Sequence, residues 1–253
     1  MLARLRIRLS GRNLGYYKGS AMQGVLFSQI DKEYGEVLHQ QALHPYSQFI
    51  RAVGEESEWV INTLTDEAYE HMIVPLLSPS VTSVKLNSGD IQCEIISKQI
   101  ETLEMQQLMS DFRDKTADYN YRIETLTPVS FRQNGAYNVL PMPGLVYQSL
   151  MNRYSLLSDN LSMSDQDTLD ELASLTLISG YRIHTVRFPL EKTTIPGFVG
   201  SFTYHIKNSQ TMARYVRMML RFGEFSGIGV KTGMGMGAIR IAEKGDTDAG
   251  RRN

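Results

Sequence analysis

Five histidines, at positions 39, 44, 71, 184 and 205, are where acid–base chemistry would reside in this chain, because imidazole titrates closest to neutral pH. His39 and His44 lie five residues apart in the polar stretch LHQQALHPYS, which reads as a loop following the first helix. No Cys, Asp or Glu falls between them, and that spacing on irregular backbone gives no metal-ligand geometry. Acid–base catalysis or contact with RNA suits the pair better than a metal. His71 falls in a helical pattern, and His184 and His205 fall in strand patterns. Structural roles are expected for those three.

The second chemical signal is GEFSGIGVKTGMGMG, residues 223–237. It holds six of the chain's 20 glycines, at 223, 227, 229, 233, 235 and 237, with Lys231 in the middle. Glycine permits positive φ and close approach of a ligand or another backbone. Successive amide groups in such a loop can bind phosphate. A nucleotide-hydrolysing loop is excluded, since Val230 precedes Lys231-Thr232 where a Walker motif needs glycine. The segment also follows a helix and enters a strand, the reverse of the Walker order.

Charge points the same way. Net charge is −1, yet residues 180–240 carry nine basic and two acidic groups. On the helix before the glycine loop, Arg214, Arg217 and Arg221 share one face. Arg187 on a strand and Lys192 in a loop extend the zone. The first 30 residues add Arg4, Arg6, Arg8, Arg12 and Lys18 with no acid. Localised anion binding is the expectation, with phosphate-backbone contact supplying affinity.

The remaining composition narrows the class. At 253 residues, 42% apolar and 21% charged, the chain is globular and long enough for two small domains. Its one cysteine excludes a disulfide framework and a Cys-rich zinc site. The longest uncharged stretch, Gln133 to Asn152, holds too many Asn, Gln and Pro residues for a membrane helix. The Arg-alternating start has no secretion-signal core, so a soluble cytoplasmic protein is expected.

Periodicity gives the elements that must position these groups. Leu5, Ile7 and Leu9 alternate with Arg4, Arg6 and Arg8 as a half-buried strand. A helix starts at Ser20 with Gln23 in capping-box position. Strands follow at Ser47–Val53 and Ser57–Thr65, then a helix over Asp66–Leu77 and strands near Val81–Leu86 and Ile91–Ile100. A second set reads as strand Tyr121–Arg132, helix Gly144–Leu157 and an acidic excursion, Asp159–Glu171, with a short helix. Strands Tyr181–Phe188 and Phe198–Ile206, helix Gln210–Phe222 and strand Met236–Ala242 complete it. The fold class is α+β, two tandem ferredoxin-like (βαββαβ) domains over residues 1–119 and 120–244. A disordered tail is expected over 245–253.

The stretch FGEFSGIGVKTGMGMGAIRI resembles the glycine-rich loop of the RAMP proteins of CRISPR systems. The stretch MQGVLFSQIDKEYGEVLHQQALHPYS resembles the first helix and histidine loop of one RAMP group, the CRISPR repeat-processing endoribonucleases (the sixth Cas family). The resemblance spans residues 1 to about 243. It implies cleavage of CRISPR precursor RNA without metal or other cofactor. The ribose 2′-hydroxyl would attack the adjacent phosphate, leaving a 2′,3′-cyclic phosphate and a 5′-hydroxyl. His39 matches the family histidine. Phe27 stands where several members have a tyrosine, and His44-Pro45-Tyr46 where they have a lysine. Either His39 works largely alone or His44, Tyr46 or Lys18 completes the site. RNA-binding positions implied are Lys18, Arg187, Lys192, Arg214, Arg217, Arg221, Lys231 and the loop glycines 227, 229, 233, 235 and 237. Partners implied are precursor and mature CRISPR RNA, with other Cas proteins and a second copy of the chain left open. The alternative is a RAMP subunit that holds CRISPR RNA without cutting it.

Overall fold

The computed structural model describes residues 1–11, 14–86, 91–114, 116–157, 165–190 and 193–242. Lys192, the first part of the acidic excursion and the tail from 245 lie outside these residues.

The first half folds around β1 (Leu2–Leu9), which pairs antiparallel with both β3 (Glu56–Thr63) and β5 (Ile91–Leu103). With β2 (Tyr46–Val53) and β4 (Ser83–Leu86), the sheet order is β2-β3-β1-β5-β4. Leu5, Ile7 and Leu9 are fully buried, as the period-two pattern requires. They pack with Met22, Val25 and Leu26 of α1 (Gly19–Phe27) and with Met72, Ile73 and Leu76. Those last three come from a helical stretch made of α3 (Asp66–Ala68), a π-type turn at Tyr69–Ile73 and α4 (Val74–Leu77).

The region between α1 and β2 is not the single loop the sequence suggests. Residues Lys32–Gln40 form a second helix, α2, whose cap is Asp31, accepting from the Tyr34 N–H at 2.7 Å. The expected capping box also fails. Gln23 turns away from the helix start to bond another side chain, and α1 begins without a side-chain cap.

After α5 (Met105–Asp114) the second half repeats the plan. Its sheet runs β11-β6-β10-β9, from β6 (Asn120–Thr125), β9 (Thr176–Leu190), β10 (Thr193–Ile206) and the short β11 (Ile239–Ile241). The expected strand Tyr121–Arg132 breaks after Thr125. A small hairpin, β7 (Phe131–Gln133) and β8 (Ala136–Asn138), follows. Helices α6 (Pro143–Tyr154), α7 (Gln166–Leu175) and α8 (Gln210–Ser226) cover this sheet. The expected Pro-containing connection is itself strand, because Pro196 pairs with Arg187 in a long β9–β10 ribbon. Its far end packs Phe188 against Tyr16, with ring centroids 6.3 Å apart.

The two halves are joined by buried polar bonds. Ser47 Oγ donates to the Phe225 carbonyl at 2.5 Å, and Gln48 Nε2 donates to the Gly233 carbonyl at 3.1 Å as well as to the Gly19 carbonyl (2.8 Å) within its own half. Arg4 lies 4.2 Å from the centre of the Phe225 ring. Among the described residues no helix is long and apolar enough to cross a membrane.

Candidate active site at the domain junction

A cavity of about 630 Å³ opens where α1, the end of α2 and the glycine-rich segment meet. Ser20, Gln23, Gly24 and Phe27 line it from α1, and His39, Ala42, Leu43 and His44 from the neighbouring stretch. Arg153, Gly229 and residues 230–234 close it from the second half. Among the described residues its lining includes no Asp or Glu. Two histidines, a lysine and an arginine therefore share one concavity with no opposing carboxylate among those residues.

His39 sits in the last turn of α2 rather than on a loop, and it is exposed. Its ring centroid lies 5.3 Å from that of Phe27, so an apolar wall backs the imidazole. His44 is half-buried, its Nδ1 enclosed and without a hydrogen-bond partner. Burial lowers its pKa, and the charges of Arg153, His39 and Lys231 push the same way. His44 is thus neutral near pH 7 and able to accept a proton.

Tyr46 differs from the other expected catalytic residues. It is fully buried, its hydroxyl accepts from Gln23 Nε2 at 2.9 Å, and burial pushes its pKa up to about 12. A phenol so placed supports its neighbours, stacking on His44 at 5.6 Å and meeting Phe27 at a tilt at 6.2 Å.

Lys231 is exposed on the cavity rim and holds a left-handed backbone, φ 58°. That conformation costs a β-carbon-bearing residue about 1–2 kcal/mol. The Lys231 side chain is therefore held at the rim at a conformational cost that glycine would avoid.

The glycine segment works differently from the expected phosphate cradle. Most of its amides bond within the protein: Ile228 N–H to the Gly237 carbonyl, Gly229 N–H to Ser149 Oγ, Val230 N–H to the Ser130 carbonyl and Gly237 N–H to the Pro128 carbonyl. Its glycines let backbones touch. A Cβ on Gly235 would lie 2.8 Å from the Gly19 Cα, and one on Gly233 2.9 Å from the Tyr46 hydroxyl. Gly229 and Gly233 line the cavity, whereas Gly227, Gly235 and Gly237 are buried beside it.

The expected basic zone divides. Arg214, Arg217 and Arg221 are half-buried on α8, and none of them lines the cavity. Arg187 is exposed on β9, the edge strand of the second sheet. Lys18, its Nζ 6.0 Å from the Tyr17 ring centre, belongs to the 3-10 turn beside Tyr16, which stacks against the ribbon end. The arginines of β1 face carboxylates: Arg4 and Arg6 meet Glu101 at 3.5 and 3.7 Å, and Arg8 meets Glu56 at 3.4 Å. Those three members of the N-terminal basic zone therefore have carboxylate partners.

Sequence periodicity missed Arg153, Gln23 and Thr232. A signal for Arg153 was present. It falls three residues after Leu150 and seven after Val146, on the buried stripe of α6, where a cation is out of place. Its Nη2 donates to Thr232 Oγ1. Among the described residues no group of three His, Cys, Asp or Glu side chains is placed to hold a metal ion.

The structure is a pair of tandem ferredoxin-like halves with a glycine-rich segment before the last strand. The family model for the CRISPR-associated endoribonuclease Cas6 matches residues 123–239. The Cas6 endoribonuclease of Streptococcus thermophilus is 34% identical over 228 residues, covering 88% of this chain and 90% of that protein. The Mycobacterium tuberculosis Cas6 endoribonuclease is 34% identical over 224 residues, covering 88% and 71%. The chain belongs to the Cas6 family of CRISPR-associated endoribonucleases, which process CRISPR repeat RNA. A solved Cas6 product complex superposes with a TM-score of 0.77 at 20% identity, covering 96% of this chain and 99% of that one. A Thermus thermophilus Cas6 gives 0.70 at 18% identity, covering 96% and 98%.

Proposed function

We propose that this protein binds CRISPR precursor RNA across the domain junction and cuts it once in each repeat, without a metal ion. The observation carrying this reading is a cavity holding His39, His44, Lys231 and Arg153, with no carboxylate among its described lining residues. Such a cavity suits a polyanion, and two imidazoles can serve as base and acid for one transfer. His44, kept neutral by burial and nearby cations, takes the proton from the ribose 2′-hydroxyl. The freed oxygen forms a bond to the adjacent phosphorus while the bond from phosphorus to the 5′-oxygen breaks. His39 gives that oxygen its proton, and Lys231 offsets the charge that builds on the phosphorane. A 2′,3′-cyclic phosphate and a 5′-hydroxyl remain, with every atom accounted for and no water consumed.

The Cas6 product and substrate-mimic complexes among the structural neighbours agree with an RNA ligand. The test is incubation of the wild-type protein with repeat RNA in excess EDTA. One cut per repeat with a cyclic-phosphate end is expected. Activity that disappears in EDTA and returns with magnesium contradicts the mechanism, and binding without any cut favours a non-cleaving RAMP subunit.

A further inference from the structure

Arg153 is 5% exposed, and no carboxylate among the described residues pairs with it. One of its amino groups, Nη2, bonds Thr232. The other, Nη1, is buried without a partner. A guanidinium so enclosed is costly unless something neutralises it, and burial lowers its pKa to about 10. The charged side chain beside it in the cavity lining, Lys231, is another cation. Yet the residue reaches the cavity wall beside His39 and His44. Anchoring the glycine segment requires only Nη2, which leaves Nη1 and its charge unexplained.

We propose that Arg153 is the anchor for the phosphate being cut, with Nη1 donating to one of its non-bridging oxygens. This rests on the cleavage reading above. Planar guanidinium groups suit phosphate oxygens, and a charge held in a dry site needs no reorganisation as the phosphorane forms. Because the contact faces one of two non-bridging oxygens, it gives the protein a handedness toward that phosphate.

The experiment compares single-turnover cleavage of repeat RNAs carrying sulfur in place of one or the other non-bridging oxygen at the cut. Wild-type protein should cut the two phosphorothioate diastereomers at rates about tenfold apart, reflecting one charge-assisted bond. Arg153→Met should lose about 10²–10³ in rate on the unmodified RNA and cut both diastereomers almost equally. Arg153→Lys, which keeps the charge, should recover part of the rate. The ratio is taken within each variant, so partial unfolding cancels. A thermal melt of Arg153→Met should show unchanged or raised stability, since an unpaired buried charge has gone. A ratio in Arg153→Met equal to that of wild type overturns the anchor. Failure of the wild type to cut repeat RNA at all overturns the cleavage reading instead.

Discussion

His39→Ala is expected to cut repeat RNA about 10²–10⁴-fold more slowly than wild type, the usual contribution of one acid–base group. Its affinity for the RNA should change little. The side chain is exposed at the cavity mouth and backed by Phe27, so its loss removes a proton carrier and leaves the packing in place. His44→Ala should lose a comparable factor if it is the base. Lys231→Ala should also slow cleavage, since Lys231 offsets the phosphorane charge, but unlike His39→Ala it should weaken binding as well and lower the salt slope by about one unit. Single-turnover rates and equilibrium binding on each variant separate the two classes. Wild-type cleavage by His39→Ala removes it from the chemistry.

The second large effect concerns the seam between the halves. Gly19→Ala should lower the melting temperature, although alanine is the better helix former by about 1 kcal/mol. Gly19 opens α1 with an ordinary helical backbone, φ −54°, so local conformation does not demand glycine there. Packing does: a Cβ would lie 2.5 Å from the Met234 carbonyl oxygen and 3.0 Å from the Gly235 Cα. Both contacts are to backbone and cannot be relieved by turning a side chain. Overpacking of this kind costs about 1–3 kcal/mol, which outweighs the propensity gain. Because the displaced segment carries Lys231, cleavage should fall with stability. Gly24→Ala in the same helix has nothing within 4 Å of its Cβ and should raise the melting temperature. Thermal melts of the two variants moving in the same direction would contradict the packing argument.

Much of this architecture is visible in the sequence because it is written in local periodicity. Leu5, Ile7 and Leu9 alternate, and Met212, Val216 and Met219 recur at helical spacing, so β1 and α8 fall where those patterns put them. Helix α2 was hidden because its start depends on one cap, Asp31, and its Glu, Gln and His content resembles a polar loop. Among the site residues, His39, His44 and Lys231 could be singled out by type, and all three line one cavity. Arg153 enters it from α6, more than a hundred residues from either histidine, and only tertiary packing brings it there. The glycine segment shows the other limit. Its composition reads equally as a phosphate cradle or as a close-approach seam, and the partner backbones at Gly19, Ser130 and Ile228 decide for the seam at most positions.

In the proposed reaction the nucleophile is the 2′-hydroxyl, activated in this cavity. The most direct test of that role is a repeat RNA carrying a single 2′-deoxy nucleotide immediately 5′ of the cut, assayed in EDTA beside the all-ribose RNA. The modified RNA should bind with nearly unchanged affinity, because backbone contacts supply most of it, and should remain intact while the ribose RNA is cut. Cleavage of the 2′-deoxy RNA at the same phosphate would contradict the mechanism.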